Sequence, residues 1–169
     1  MRKKENPEFG ASIRKDMRLY ADDILRSKNF MSSSHNTQHG NITVMKHSLK
    51  VAYTSMWMNR RYNFNCNEKE LVRGALLHDY FLYDWHDDDH RGVWHLHGFF
   101  HPGVALRNAM KDYELTEREQ DIIKKHMWPL TVVPPKFKES WVVTCADKYV
   151  STLESLRLQQ RQIRKTGDK

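Results

Sequence analysis

The chain has only two cysteines, Cys66 and Cys145, in 169 residues. Two thiols cannot build a disulfide framework or a cysteine-rich zinc site, so both are expected to be ordinary reduced thiols, and any metal must be held by nitrogen and oxygen ligands. Long apolar runs are also missing. Nothing in the sequence approaches the roughly 18 uninterrupted apolar residues that a membrane span requires. The N-terminus, MRKKENPEFG, has a basic start with no apolar run behind it, so it lacks the pattern of a secretory signal. A soluble, cytoplasmic protein outside the membrane is the expectation. Internal repeats and low-complexity segments are absent too, and the length suits a single domain, residues 1–169, with its core over about residues 12–158.

Net charge is scarce along most of the chain despite a formal total of +7. Arg2, Lys3 and Lys4 contribute +3, and Arg157, Arg161, Arg164, Lys165 and Lys169 less Asp168 contribute +4, leaving residues 5–156 formally neutral. This distribution describes solvated basic tails at both ends, and no specific nucleic-acid binding is expected.

What the sequence does contain is helical periodicity, broken by short polar or proline-marked segments, and the fold class it predicts is all-α. A first helix is predicted over Ser12 to Lys28, with Ile13, Met17, Tyr20, Ile24 and Leu25 on one stripe, followed by a loop from Ser32 to Asn41. The apolar surface from Thr43 to Arg60 is broad enough for a central helix. Asn67 and Glu70 have the spacing of a capping box and open a helix through LVRGALLHDYFLY; Thr116 and Glu119 repeat the spacing before Ile122, Ile123 and His126. Asp84 to Phe100 reads as a long loop, His101-Pro102 as a helix start, and Glu139 to Leu158 as the last long helix, with a fraying polar end.

The chemistry begins at Ala75-Leu-Leu-His78-Asp79-Tyr. An ionised Asp in a run that must be buried costs several kcal/mol unless it is paired or bound to a cation. By itself the dipeptide fits a buried hydrogen-bonded pair better than a metal site. The anomaly recurs, however. His47 shares the inward face of Val44 and Val51, His126 follows Ile122 and Ile123 by four and three residues, Asp147 lies between Val143 and Val150, and His101 stands at a helix start.

The order His47, His78-Asp79, Asp147 resembles the motif of the HD superfamily of metal-dependent phosphohydrolases. With His101 and His126 between the pair and the last Asp, the pattern resembles its six-ligand, two-metal branch. HSLKVA, ALLHDY, FHPGVAL, IIKKHMWPL and CADKY each resemble the corresponding family segment, over roughly residues 43 to 155. The resemblance implies an HD-type helical bundle with the metal site between central helices. It departs in two places: Leu82 stands where many hydrolytic members carry a Lys, and the single His126 followed by MWPL lacks the Gly-Tyr-Pro signature of the cyclic-di-nucleotide phosphodiesterases, which disfavours that activity.

By the same resemblance Asp79 bridges two ions, His47, His78 and Asp147 complete one site, and His101 and His126 complete the other. Mixed imidazole and carboxylate ligands suit first-row transition metals, Fe or Mn foremost, with Co, Ni or Zn also compatible. The implied activity is hydrolysis of a nucleotide or other small phosphate ester by a metal-bridging hydroxide, with His78 and Asp79 as the catalytic pair. Lys148 and His97 are the candidates to protonate or neutralise the leaving group. The alternative of a different class is a mixed-valence di-iron oxygenase cleaving a C–P or C–C bond with the same ligands. His86, Asp87, Asp88, Asp89, His90, His95 and His97 in the long loop read as a lid or wall rather than another metal site. Trp94, Phe99 and Phe100 are available there to stack on a base. Gln38, His39 and Gly40 either approach the same mouth or form a plain turn.

Overall fold

Helical periodicity carries through to the structure, a computed structural model that describes residues 7–34, 37–39, 42–80 and 97–167, with side chains for all of these but 37–39, 97–100 and 158–167. Its helices are α1 (Pro7–Tyr20), α2 (Asp22–Leu25), α3 (Lys28–Ser32), α4 (Val44–Tyr62), α5 (Glu68–Leu77), α6 (His97–Asp112), α7 (Glu117–Lys125) and α8 (Lys138–Gly167). The fold is an all-α bundle. A short antiparallel ribbon, β1 (Thr37–His39) against β2 (Ile42–Thr43), pairs Thr37 with Thr43 and His39 with Ile42 across an irregular register. No helix among the described residues is long and apolar enough to cross a membrane.

The core forms where α4 packs on α5 and α8, and α7 packs on α5, α6 and α8. Val51, Ala52 and Met56 of α4, Leu71, Leu76 and Leu77 of α5, and Ile122 and Ile123 of α7 are completely buried. Removing each of the larger aliphatic side chains from water stabilises the fold by about 1.5–3 kcal/mol. Gly74 lets α5 and α7 approach: a Cβ there would lie 2.5 Å from Ile122 Cδ1. That close approach brings together the two C-terminal ends, where His78 caps α5 and His126 caps α7.

Several predicted boundaries move, each for a tertiary reason. The single helix expected from Ser12 to Lys28 is three. The chain leaves the helical path at Ala21 (φ −138°, ψ 33°), and α2 then presents Asp23 to Arg73 of α5 at 2.6 Å. Arg73 is itself buried and also bonds Glu119 of α7 at 2.9 Å, so this ion cluster ties three helices together. Ile13, Met17 and Ile24 stay buried across the break, which is why the apolar stripe alone does not reveal it. Ser27 then caps α3 by accepting from the Phe30 amide. The loop expected at Ser32–Asn41 contains β1.

The α5 cap is half of the predicted box. Asn67 accepts from the Glu70 amide, but the Asn67 amide donates to Glu139 of α8, and Glu70 pairs with Arg118. The Thr116–Glu119 box has both halves. Helix α5 ends at Leu77 rather than running through Tyr83, of which residues 81–83 lie outside the described residues. Helix α6 begins at His97, so Pro102 sits inside it rather than at its start. Helix α8 continues to Gly167 where fraying was expected; Leu, Gln, Arg and Lys beyond residue 157 are all favourable helix formers.

Candidate metal centre

Five helices deliver the six side chains singled out by the sequence. His47 comes from the first turn of α4, His78 and Asp79 from the end of α5, His101 from α6, His126 from the end of α7 and Asp147 from α8. All six are buried, His47 and His78 completely. Ending α5 and α7 at a histidine has a chemical consequence. His78 Nδ1 donates to the Ala75 carbonyl at 2.7 Å and His126 Nδ1 to the Ile123 carbonyl at 2.9 Å, groups three residues back that the final helical turn leaves available. His47 Nδ1 donates to Glu154 at 3.0 Å. These three rings are thus oriented with Nε2 facing inward, as outer hydrogen bonds orient metal-ligating imidazoles.

The inward atoms converge on Asp79, whose two oxygens divide them. Oδ2 lies 3.3 Å from His78 Nε2 and 3.9 Å from His47 Nε2, whereas Oδ1 lies 3.3 Å from His101 Nε2 and 3.5 Å from His126 Nε2. Asp147 Oδ1 closes the first group, at 3.1 Å from His47 Nε2 and 3.8 Å from His78 Nε2. In the second, His101 Nε2 and His126 Nε2 are 3.0 Å apart.

Charge follows from this packing. Burial opposes ionisation of Asp79, but the His78 charge and hydrogen bonds from His101 and His126 outweigh it and hold the carboxyl well below the usual range. Burial likewise opposes ionisation of Asp147, and the His47 hydrogen bond with the His78 charge brings its pKa to about 2. At His47, burial is overcome by hydrogen bonds to Asp147 and Glu154, and the pKa rises to about 10. His126 moves the other way, since burial dominates and the neighbouring His78 adds to it. The pocket therefore holds ionised carboxylates that demand positive charge, and a proton and a metal ion compete for the same imidazole nitrogens.

A divalent transition metal fits these residues. His78 Nε2 is buried without a hydrogen-bond partner, and a buried nitrogen left so is costly unless something coordinates it. Ligand atoms of His47, His78 and Asp147 all lie within 4.8 Å of one another, as do those of His78, Asp79 and His126. The donor set is nitrogen and oxygen, the mixture that suits first-row metals.

Comparison with protein families agrees: the model for the HD domain matches residues 44–151. The chain belongs to the HD domain family. Members of this family bind divalent metals and are generally metal-dependent hydrolases, and all six site residues of this HD domain fall within the matched span. No curated protein and no solved structure matches the chain.

Other expected residues are placed unevenly. Lys148 is exposed, and its ammonium donates to the His126 carbonyl at 3.3 Å, so it stands beside the second histidine group. His97 is the first residue of α6 rather than part of a loop, and its side chain is outside the described residues, as are those of Phe99 and Phe100. His86, Asp87, Asp88, Asp89, His90, Trp94, His95, Leu82 and Gly40 lie wholly outside them. Gln38 and His39 are in β1. Glu154, the partner of His47 Nδ1, is not among the residues singled out by the sequence. Its place seven residues after Asp147, two turns along one helix face, was the available signal.

Proposed function

We propose that this HD-domain protein is a metal-dependent phosphohydrolase acting on a nucleotide or another small phosphate ester. The observation that carries the reading is the division of Asp79, with one oxygen toward His47 and His78 and the other toward His101 and His126. A carboxylate so placed suits a bridge between two ions, with His47, His78 and Asp147 on one and His101 and His126 on the other. Two such ions, Fe or Mn foremost, would supply an acidified water and neutralise a phosphoryl group. The chain's own residues do the rest. Glu154 and the Ala75 and Ile123 carbonyls hold the imidazoles in the ligating tautomer. Lys148, anchored beside His126, offers positive charge to a leaving oxygen, and His97, one helical turn before His101, is the second candidate for that role. The reading takes residues 1–169 as a single HD domain in the cytoplasm.

The test is metal analysis of anaerobically purified protein, followed by hydrolysis of a panel of phosphomonoesters, phosphodiesters and dinucleotides with Mn or Co added. The proposal expects bound transition metal and anaerobic hydrolysis of a phosphate ester in this panel, which a folded His78→Ala variant loses. Turnover that required oxygen would point to the oxygenase chemistry instead. A protein that binds no transition metal and hydrolyses none of these esters would overturn the reading.

A further inference from the structure

Behind His47, on the Glu154 side of the ring, the molecule has a second cavity of about 770 Å³, and none of the six metal-site residues lines it. Its size falls within the range of small-molecule pockets. Helices α1, α2, α4 and α8 form it. Met17, Leu25, Leu49, Val150 and Leu153 supply an apolar floor, with Tyr53 and Tyr149 at the sides. Around this floor stand Arg14, Arg18, Arg26, Lys50 and Arg157, against only two acidic residues, Asp22 and Glu154.

The two acids are already engaged. Asp22 pairs with Arg26 at 2.8 Å and Glu154 with Lys50 at 2.7 Å. Arg14, Arg18 and Arg157 make no ion pair among the described residues. Arg14 and Arg18 are one helical turn apart and share a face of α1. Two of these three arginines, Arg14 and Arg18, lie in residues 5–156, which are neutral in sum, so this is a local gathering of cations rather than an extension of the basic tails. A neighbouring groove, which shares Asp22, has the opposite balance, with Asp23, Glu70, Glu114 and Glu119 against Lys69 and Arg73. An apolar floor under a rim that includes three guanidinium groups with no ion pair among the described residues is complementary to a molecule that is apolar at one end and anionic at the other. Guanidinium favours carboxylate, sulfonate or phosphate oxygens, which it meets with two parallel hydrogen bonds.

We propose that this cavity is a second ligand site, separate from the metal centre, for a small amphipathic organic anion whose apolar body lies on Met17, Leu49 and Leu153 and whose charged head meets Arg14, Arg18 and Arg157. It does not rest on the hydrolase reading. Glu154 forms a wall common to both places, bonding His47 with one oxygen and facing the cavity through Lys50 with the other.

Titration with anilinonaphthalene sulfonate, an aromatic anion that fluoresces in apolar surroundings, tests it directly. The folded protein is expected to bind one equivalent saturably. Decanoate should displace the probe at a concentration at least tenfold lower than decanol, which lacks the charge, or inorganic phosphate, which lacks the apolar body. Leu153→Trp, which fills the floor, should abolish binding. Arg14→Glu with Arg18→Glu, both on exposed helix surface, should weaken binding at least tenfold with an unchanged melting temperature, and decides the matter if Leu153→Trp does not fold. Probe binding indifferent to the arginine pair, equal competition by decanol and decanoate, or fluorescence appearing only as the protein melts would overturn the proposal.

Discussion

His47 donates its Nδ1 hydrogen to Glu154 across 3.0 Å, with both side chains almost fully buried. Glu154 in turn accepts from Lys50 at 2.7 Å. The imidazole is thereby fixed from behind, and its Nε2 meets Asp147 and Asp79 in one orientation. Removing such a partner commonly costs 10- to 100-fold in metal affinity. Glu154→Ala should therefore weaken Mn binding by about that factor, measured by competition with a chelator. Glu154→Gln keeps an accepting oxygen and should lose less. Equal affinities for all three proteins would show that Glu154 does not orient His47.

Metal removal has its own signature. A ligand that binds only the folded state stabilises it by about 2.7 kcal/mol at a hundredfold excess over Kd. Adding Mn to chelator-stripped protein should raise the melting temperature by several degrees. Asp79→Asn, which removes the charge shared by both histidine groups, should nearly abolish that rise while remaining folded. An undiminished rise in the variant would place the ion elsewhere.

The contact between Gly74 and Ile122 predicts an overpacking penalty. Gly74→Ala puts a methyl 2.5 Å from Ile122 Cδ1 and 3.0 Å from its Cβ and Cγ2. Overpacking of this kind costs about 1–3 kcal/mol, read in urea unfolding. Ile122→Val deletes Cδ1, so the double variant should be more stable than the sum of the two single losses predicts, as expected for residues in contact. Strict additivity would mean that α7 shifts away freely.

Asp121 gives the fold a pH dependence apart from the metal site. Burial pushes its carboxyl up, but Lys125, Ser140 and the Lys136 amide outweigh burial and hold the pKa below 3.8. A carboxylate with a lowered folded pKa contributes stability above its unfolded value and loses it as pH falls through the folded one. Asp121→Asn should cost about 2 kcal/mol near neutrality, the scale of a hydrogen-bonded charge. The gap from the wild type should close as the pH drops below about 4. A gap independent of pH would assign the loss to packing instead.

Much of the site is legible without coordinates because a charged or imidazole side chain on an apolar helix face is anomalous by itself. His47, His126 and Asp147 show this through spacing of three and four residues, and His78-Asp79 through its apolar surroundings. Glu154 carries the same signal, yet its role depends on a histidine 107 residues earlier in the chain. The break at Ala21 is hidden for a similar reason: the partner that draws Asp23 out of line is Arg73, 50 residues on.

An all-α chain and six inward polar residues can be read from the sequence because helical periodicity and the cost of burying charge are local properties, and the family can be read from the resemblance of its motifs. Packing sets the rest: Asp79 faces two histidine groups with separate oxygens, and α5 and α7 end at histidines whose outer nitrogens bond the Ala75 and Ile123 carbonyls. It also decided which carboxylate stands behind His47. Those relationships arise where α4, α5, α6, α7 and α8 close on one another, and the distances between side chains on different helices are set by packing rather than by spacing along the chain.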